Sequence, residues 1–180
     1  DACVVSLSAG RTLDQITHDF SAGIPLIRVM PNVAATVRQS MTALTATRTT
    51  DDQVNAVREL MNSVGRTVLI DEDYFPVFQA LASCSPAWYF QIIDSFARAG
   101  LKYGLSKDSA VEIAAQAMAG SAALLLSERE AGTIPAQLID RVTSPGGTTI
   151  AGLLAAEEGG LSNALVGAVD ASIHADSHLG

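Results

Sequence analysis

The spacing of apolar residues changes near residue 74, and this change limits the folds that the chain can adopt. Before it, short apolar runs bounded by turn residues alternate with helical patterns and predict strands at 4–9, 26–30, 41–47 and 68–70. After about residue 76 the strand pattern disappears and apolar residues recur at helical spacing. The sequence therefore predicts an α/β half over residues 1–73, with helices covering a buried sheet, and an all-α half over residues 74–180.

Capping residues and helix breakers predict where the helices begin and end. Thr50 is expected to cap a helix that stops at Gly65, and Ser85-Pro86 is expected to start another that ends at Gly100. The next helix is expected to start near Ser106 or Ser109 and to run to about residue 130. The remaining helices are predicted at 135–142, 148–158 and 163–174.

Charge and composition exclude several classes of function. The net charge is −8 and the eleven Lys and Arg residues are scattered, which argues against a nucleic-acid partner. The longest apolar candidate, 114–126, is interrupted by polar and small residues, so no membrane-spanning segment is expected. Two cysteines, Cys3 and Cys84, do not form a disulfide framework, and a cytoplasmic location is expected.

The chain contains no G-x-G-x-x-G turn, although an α/β half of this kind usually begins with one to hold a dinucleotide. It opens instead with a strand at its second or third residue. The sequence therefore reads as though such a fold starts midway.

The strongest local pattern is Thr-Ser-Pro-Gly-Gly-Thr-Thr-Ile at residues 143–150. Pro145 ends the preceding helix, two glycines allow a tight turn, and Thr148 or Thr149 can cap the helix that follows. Backbone N–H groups at such a helix N-terminus, flanked by hydroxyls, suit a small carboxylate or phosphate. An ordinary helix–helix turn with normal caps explains the same residues, and the residues alone leave both interpretations open.

These residues, with four further segments in the same order, resemble the pyrroline-5-carboxylate reductase family. Residues 142–150 match the family's Ser-Pro-Gly-Gly signature at every position. The other similar segments end a strand in Ala-Gly, carry Arg-x-Met-x-Asn, or belong to helices: 4–10, 28–32, 99–105 and 115–122.

The resemblance implies a partial Rossmann-like sheet followed by an all-α dimerisation domain, similar to the helical C-terminal domain of 6-phosphogluconate dehydrogenase. It also implies an NAD(P)H-dependent oxidoreductase that reduces the C=N bond of 1-pyrroline-5-carboxylate to L-proline, with NADPH favoured over NADH. The implied partners are the small imino acid and a second copy of the chain, bound through residues beyond about 76. Such dimers can assemble further into rings. The portion that holds the glycine-rich turn in the family is missing here, so the resemblance implies a truncated form or a proteolysed remnant of a longer enzyme, which binds the cofactor weakly or not at all and is inactive as it stands.

The family's site residues are carried over to the matching positions. The substrate carboxylate is expected at Ser144, Gly146, Gly147, Thr148 and Thr149, with Thr149 also orienting or relaying a proton at the ring nitrogen as the catalytic residue. The nicotinamide is expected against two segments of the α/β half: Ser8, Ala9, Gly10, Met30, Pro31 and Asn32. No metal ion is expected.

One departure keeps other functions open. The family's Leu-Ser-Gly-Ser-Gly-Pro-Ala motif appears as Leu-Ala-Ser-Cys-Ser-Pro-Ala at residues 81–87, so contacts made there in relatives need not persist. The alternatives are a related imino-acid or hydroxy-acid reductase and a catalytically silent dimerisation module.

Three minor features receive simpler interpretations. His174 and His178, with Asp170 and Asp176 nearby, have the spacing of a helical metal site but lack a further fixed ligand, so exposure to solvent is preferred. Cys84 is interpreted as a small buried residue rather than a reactive thiol near a helix N-terminus. The acidic residues 71–73 are interpreted as a solvated loop.

Overall fold

The computed structural model describes residues 2–20 and 23–177. They form two compact units, one built from residues up to 86 together with those from 167 onward, and the other from residues 87–166. The domain boundary predicted after residue 73 stays a prediction.

The first unit contains a four-stranded mixed sheet in the order β1-β2-β3-β4. Its strands are Val4–Ser6, Leu26–Met30, Ser40–Thr47 and Gly65–Leu69. The outer pairs are parallel because a helix, α1 (Leu13–Asp19) or α2 (Asp51–Asn62), forms each crossover. Only a 3₁₀ turn separates β2 from β3, and these two strands are antiparallel. The predicted partial Rossmann-like sheet is confirmed.

The sheet is buried on both faces, and alternate residues of β2 explain how. Ile27 and Val29 pack with Leu44 and Val57 on the face covered by α2. Met30 packs on the opposite face against Phe75 and its neighbours in the helix that follows β4. A continuous run of buried residues in β2 follows from this arrangement.

The boundaries of α2 follow its capping residues only at one end. Thr50 caps the helix as predicted, because its Oγ1 accepts a hydrogen bond from the Gln53 N–H, and the Gln53 side-chain Oε1 accepts one from the Thr50 N–H. At the other end the helix stops at Asn62. Gly65 is not its stop but the first residue of β4, where a Cβ would collide with the backbone of Ser40.

The helix predicted to begin at Ser85 begins earlier, and this prediction was wrong. Helix α3 (Phe75–Phe78), a π-helical segment (Gln79–Cys84) and α4 (Ser85–Lys102) follow one another without a break. Ser85 has helical backbone angles, and its Oγ donates to the Leu81 carbonyl at 2.6 Å instead of capping a terminus. The helix also continues past Gly100 to Lys102.

The remaining helices lie close to their predicted positions. Ser106 caps α5 (Lys107–Ser127) by accepting from the Ser109 N–H. Helices α6 (Pro135–Val142) and α7 (Thr148–Glu158) match the predicted bounds, and α8 spans Leu161–Asp176. The all-α second half is therefore confirmed.

Helix α5 is long and apolar enough, by length and composition alone, to cross a membrane. The expectation that no segment reaches that length was therefore wrong, because it rested on the shorter run 114–126. Almost none of α5 is buried within the chain itself. An exposed apolar surface of this size is typical of a helix that is buried against lipid or against a partner protein.

Candidate functional site

The Ser-Pro-Gly-Gly turn connects α6 to α7 through a tight reversal. Gly146 has φ +69°, a left-handed conformation that favours glycine. The Gly147 N–H donates to the Ser144 carbonyl at 2.9 Å, so this amide is used within the turn. The resemblance places the substrate carboxylate at Gly147 among other residues, but in this structure the Gly147 N–H is already bonded within the turn. A Cβ on Gly147 would also collide with the Ser144 side chain.

Beyond the turn, the N-terminus of α7 has no capping side chain. Gly147 occupies the N-cap position, and Thr148 and Thr149 lie in the first turn of the helix, so the prediction that one of them caps it was wrong. The backbone N–H groups of Thr148, Thr149 and Ile150 donate to no acceptor within the described residues. Three adjacent donors at the positive end of an eleven-residue helix form a site suited to a carboxylate.

The hydroxyl groups beside these amides are also accessible. Ser144, Thr148 and Thr149 are exposed. Thr143 differs from them, because its hydroxyl donates to the Ile139 carbonyl at 3.0 Å and so belongs to the end of α6. The open part of the turn therefore consists of the three amides and the Ser144, Thr148 and Thr149 hydroxyls.

A cleft of about 360 Å³ in the first unit brings together four of the six predicted cofactor residues. Ser8 and Ala9 come from the loop after β1, and Met30 and Pro31 from the end of β2. Both loops follow the carboxyl ends of parallel strands, where ligands of α/β sheets bind. Gln79, Ser83 and Cys84 of the π-helical segment also line this cleft.

The other two predicted cofactor residues occupy different surroundings. Gly10 lines a neighbouring cleft of about 400 Å³, together with Arg28 and Glu72. Asn32 is held in place by two hydrogen bonds, since its N–H donates to Ser40 Oγ at 3.2 Å and its side-chain Nδ2 donates to the Ala82 carbonyl at 2.8 Å. Its Oδ1 is buried without a hydrogen-bond partner.

The substituted segment 81–87 contributes two side chains that relatives with glycine and serine at these positions would lack. Ser83 Oγ is buried and makes no hydrogen bond. Cys84 is half-buried on the wall of the cleft and lies at the end of the π-helical segment rather than at a helix N-terminus. The helix N-terminus that would make the Cys84 thiol reactive is therefore absent at this position.

Glu72 is the residue that the sequence interpretation missed. It was assigned to a solvated loop, yet its Oε1 accepts hydrogen bonds from the Leu13 N–H and from Arg28, each at 2.8 Å. A usable signal existed, because an arginine within a buried strand requires an acidic partner. The sequence places an acidic triplet at 71–73 but gives no distance to Arg28.

The predicted histidine pair cannot be described, because His178 lies outside the described residues. Over residues 2–20 and 23–177 there is no group of three His, Cys, Asp or Glu side chains arranged to hold a metal ion.

The mixed sheet and the helices that follow it define a class of proteins in which a Rossmann-like sheet precedes a helical domain. The family profile described as "Pyrroline-5-carboxylate reductase dimerisation" matches residues 72–179, more than half of the chain. The chain belongs to the pyrroline-5-carboxylate reductase family.

Individual relatives give the same result. Pyrroline-5-carboxylate reductase 2 of Bacillus subtilis is 33% identical over 171 residues, which cover 94% of this chain and 60% of the relative. The Treponema pallidum enzyme is 36% identical over 175 residues, covering 94% and 65%. The crystal structure of 1-pyrroline-5-carboxylate reductase from Streptococcus pyogenes has a TM-score of 0.87 at 37% identity, covering 98% and 67%. The chain thus spans 60 to 65% of the length of these two curated relatives.

Proposed function

We propose that this chain carries the substrate-binding part of an NAD(P)H-dependent reductase that converts 1-pyrroline-5-carboxylate to L-proline. The observation that carries the proposal is the uncapped N-terminus of α7, where three backbone amides that have no acceptor among the described residues adjoin exposed hydroxyl groups. An imino acid offers a carboxylate for the amides and a ring nitrogen within reach of a neighbouring hydroxyl.

In this proposal the chain contributes binding, orientation and one proton position. The amides of Thr148, Thr149 and Ile150 hold the carboxylate, and the Thr149 hydroxyl orients or relays the proton that reaches the ring nitrogen. A bound nicotinamide supplies the hydride that adds to the C=N carbon. No lysine or histidine is required at the turn, because reduction of an activated imine depends mainly on alignment and a charge-matched pocket.

The cleft beside β1 and β2 suits the nicotinamide end of a cofactor. Ala9, Met30 and Pro31 offer apolar surface for a flat ring, and Ser8 offers a polar group at its edge. A volume of about 360 Å³ is ample for a pyridine ring with its carboxamide. We propose NADPH as the reductant on the strength of the family resemblance, and KM measured with NADPH and with NADH decides between the two.

We propose a second copy of the chain as the cover of the helical unit. A cleft of about 540 Å³ there is lined almost entirely by apolar and small residues from α4 and α5, including Phe96 and Ile113. These two side chains are 61% and 57% exposed, which is unusual for large apolar groups on a soluble surface. The family profile is itself described as a dimerisation region. Ring assembly, the absence of a membrane role and a cytoplasmic location are further proposals on the family resemblance.

The test is a steady-state assay on the product of the full coding sequence. NADPH oxidation is followed with 1-pyrroline-5-carboxylate and, as a control, with a 2-oxo acid that would serve a hydroxy-acid reductase. We expect turnover with the imine only. Turnover with the oxo acid alone would move the chain to the alternative reductase class. Absence of turnover with either, in a protein that dimerises, would leave the silent dimerisation module.

A further inference from the structure

One oxygen atom of Glu72 connects two segments that are distant in the chain. Glu72 Oε1 accepts from the Leu13 N–H, 59 residues away, and from Arg28 Nη1, 44 residues away, each at 2.8 Å. Leu13 is the first residue of α1, and Arg28 lies in the middle of β2. The carboxylate therefore acts as a junction between the start of a helix and the side chain of a buried strand.

The hydrogen bonds of Glu72 lie next to the two loops that line the proposed nicotinamide cleft, one after β1 and one after β2. Leu13 follows the loop that carries Ser8, Ala9 and Gly10, while Arg28 precedes Met30 and Pro31 by two and three residues. Gly10, Arg28 and Glu72 line the adjoining cleft. A change in the position of Glu72 thus acts on both loops at once.

Arg28 is the buried partner of this pair, and Glu72 is partly exposed. The Arg28 side chain is 6% exposed, and its guanidinium lies 4.4 Å from the centre of the Phe75 ring. Its Nε is buried without a hydrogen-bond partner. Removing Glu72 would leave a buried cation and the first N–H of α1 without the acceptor that both now share.

We infer that Glu72 is a positioning residue for the nicotinamide cofactor, acting through Leu13 and Arg28 to fix the distance between the 8–10 and 30–32 loops. The inference rests on the proposed function. Its consequence is specific: loss of the junction weakens cofactor binding more than it slows the chemical step, because the substrate turn at 144–149 belongs to the other compact unit.

The experiment uses the product of the full coding sequence and compares Glu72→Ala, Glu72→Gln and the control Asp73→Ala with the unmodified protein. Asp73 follows Glu72 in the chain and lines the cleft that also contains Arg28 and Glu72. Its side chain makes no hydrogen bond or ion pair within the described structure. For each protein, KM for NADPH and kcat are measured with saturating 1-pyrroline-5-carboxylate, and Kd for NADPH is measured by fluorescence. Melting temperature is recorded alongside.

We expect Glu72→Ala to raise KM and Kd for NADPH roughly tenfold while kcat changes less than about twofold. Glu72→Gln keeps an oxygen that can accept from both donors and should recover most of the affinity, and Asp73→Ala should resemble the unmodified protein. Equal fold-losses in kcat with no change in KM, or no recovery by Glu72→Gln despite an unchanged melting temperature, would overturn the inference.

Failure of the proposed function gives a different result. An unmodified protein that binds NADPH but does not reduce the imine refutes the proposed reaction, while Kd across the variants still decides the role of Glu72. An unmodified protein that binds no NADPH overturns both.

Discussion

The side-chain amide of Asn32 donates to the carbonyl of Ala82 at 2.8 Å. Ala82 lies in the π-helical segment Gln79–Cys84, and Pro86, at the second position of α4, has no N–H to donate to a carbonyl of the helix. Asn32 supplies a side-chain donor to a carbonyl in this part of the helix. This hydrogen bond joins the end of β2 to the helix that carries the cleft-lining residues Ser83 and Cys84.

Loss of the hydrogen bond from Asn32 should destabilise the fold. Asn32→Ala should lower the free energy of unfolding by about 1 to 2 kcal/mol, because the amide donor is lost in a partly buried place. Chemical denaturation measures this change, and an unaltered free energy of unfolding for Asn32→Ala would refute it.

Helices α4 and α5 approach closely at Gly100. A Cβ added there would lie 2.7 Å from the Cβ of Ala110, which is itself buried. Gly100→Ala should cost about 1 to 3 kcal/mol by overpacking, and adding Ala110→Gly should recover part of that loss. Gly167→Ala, at a helical glycine with open space around it, is the control and should be neutral or mildly stabilising. Thermal unfolding of these variants decides the point.

Asp94 holds Arg98 within α4 and Lys107 at the start of α5. Hydrogen bonds from Arg98 and then Lys107 lower the pKa of its carboxyl from the ordinary value of 3.8. A lowered pKa means that the contribution of Asp94 to stability is present above pH 3.8 and is lost as pH falls through the lowered value. Asp94→Asn should therefore lower Tm at neutral pH, and the difference should vanish in strong acid.

The control substitution for that experiment is Glu130→Gln. The Glu130 carboxylate is exposed and makes no hydrogen bond or ion pair in the described part of the chain. It should leave Tm unaffected at either pH. A difference for Asp94→Asn that persists unchanged at the acid end would show that the lost charge is not its cause.

The proposed dimer predicts a change of mass on a single substitution. Ile113→Asp places a charge in the apolar cleft of the helical unit and should convert a dimer to a monomer at micromolar concentration. Leu60→Asp makes the same kind of change at a residue that is 65% exposed on α2, outside that cleft, and should leave the dimer intact. Light scattering measures both, and a monomeric unmodified protein would contradict the proposal directly.

Thr149 has a role in the proposed chemistry that its neighbour lacks. Thr149→Val removes the hydroxyl assigned to the ring nitrogen and should lower kcat about 100-fold, within the range for a lost proton-transfer group. Thr149→Ser should retain most of kcat, and Thr148→Val should change KM more than kcat. Steady-state kinetics on the product of the full coding sequence give all of these values. Similar kcat values for Thr149→Val and Thr149→Ser would remove Thr149 from the mechanism.

Local signals explain the parts of the fold that the sequence predicted well. Pro135 and the Pro-Gly-Gly turn delimit α6 and α7, and both helices match their predicted bounds. Apolar strands separated by a capped helix likewise predicted the sheet. At these places a residue's own conformational limits decide the structure, so neighbours in sequence are sufficient.

The predictions that were wrong concern places where residues distant in the sequence determine the structure. Pro86 was expected to start a helix, but a π-helical segment precedes it and the helix is continuous through it. Glu72 was expected in solvent, but Arg28 approaches it from β2. At the turn, the number of free amides depended on whether the Gly147 N–H bonds internally, which spacing does not indicate.

NMR observes directly the backbone amides at the start of α7, where the substrate carboxylate is proposed to bind. A nitrogen-15-labelled sample of the 180-residue chain is titrated with L-proline and, separately, with pyrrolidine, which has the ring but no carboxylate. We predict that the amide resonances of Thr148, Thr149 and Ile150 move in a saturable manner with proline and stay in place with pyrrolidine. Equal movement with both compounds, or movement confined to other residues, would contradict the claim that these amides bind a carboxylate.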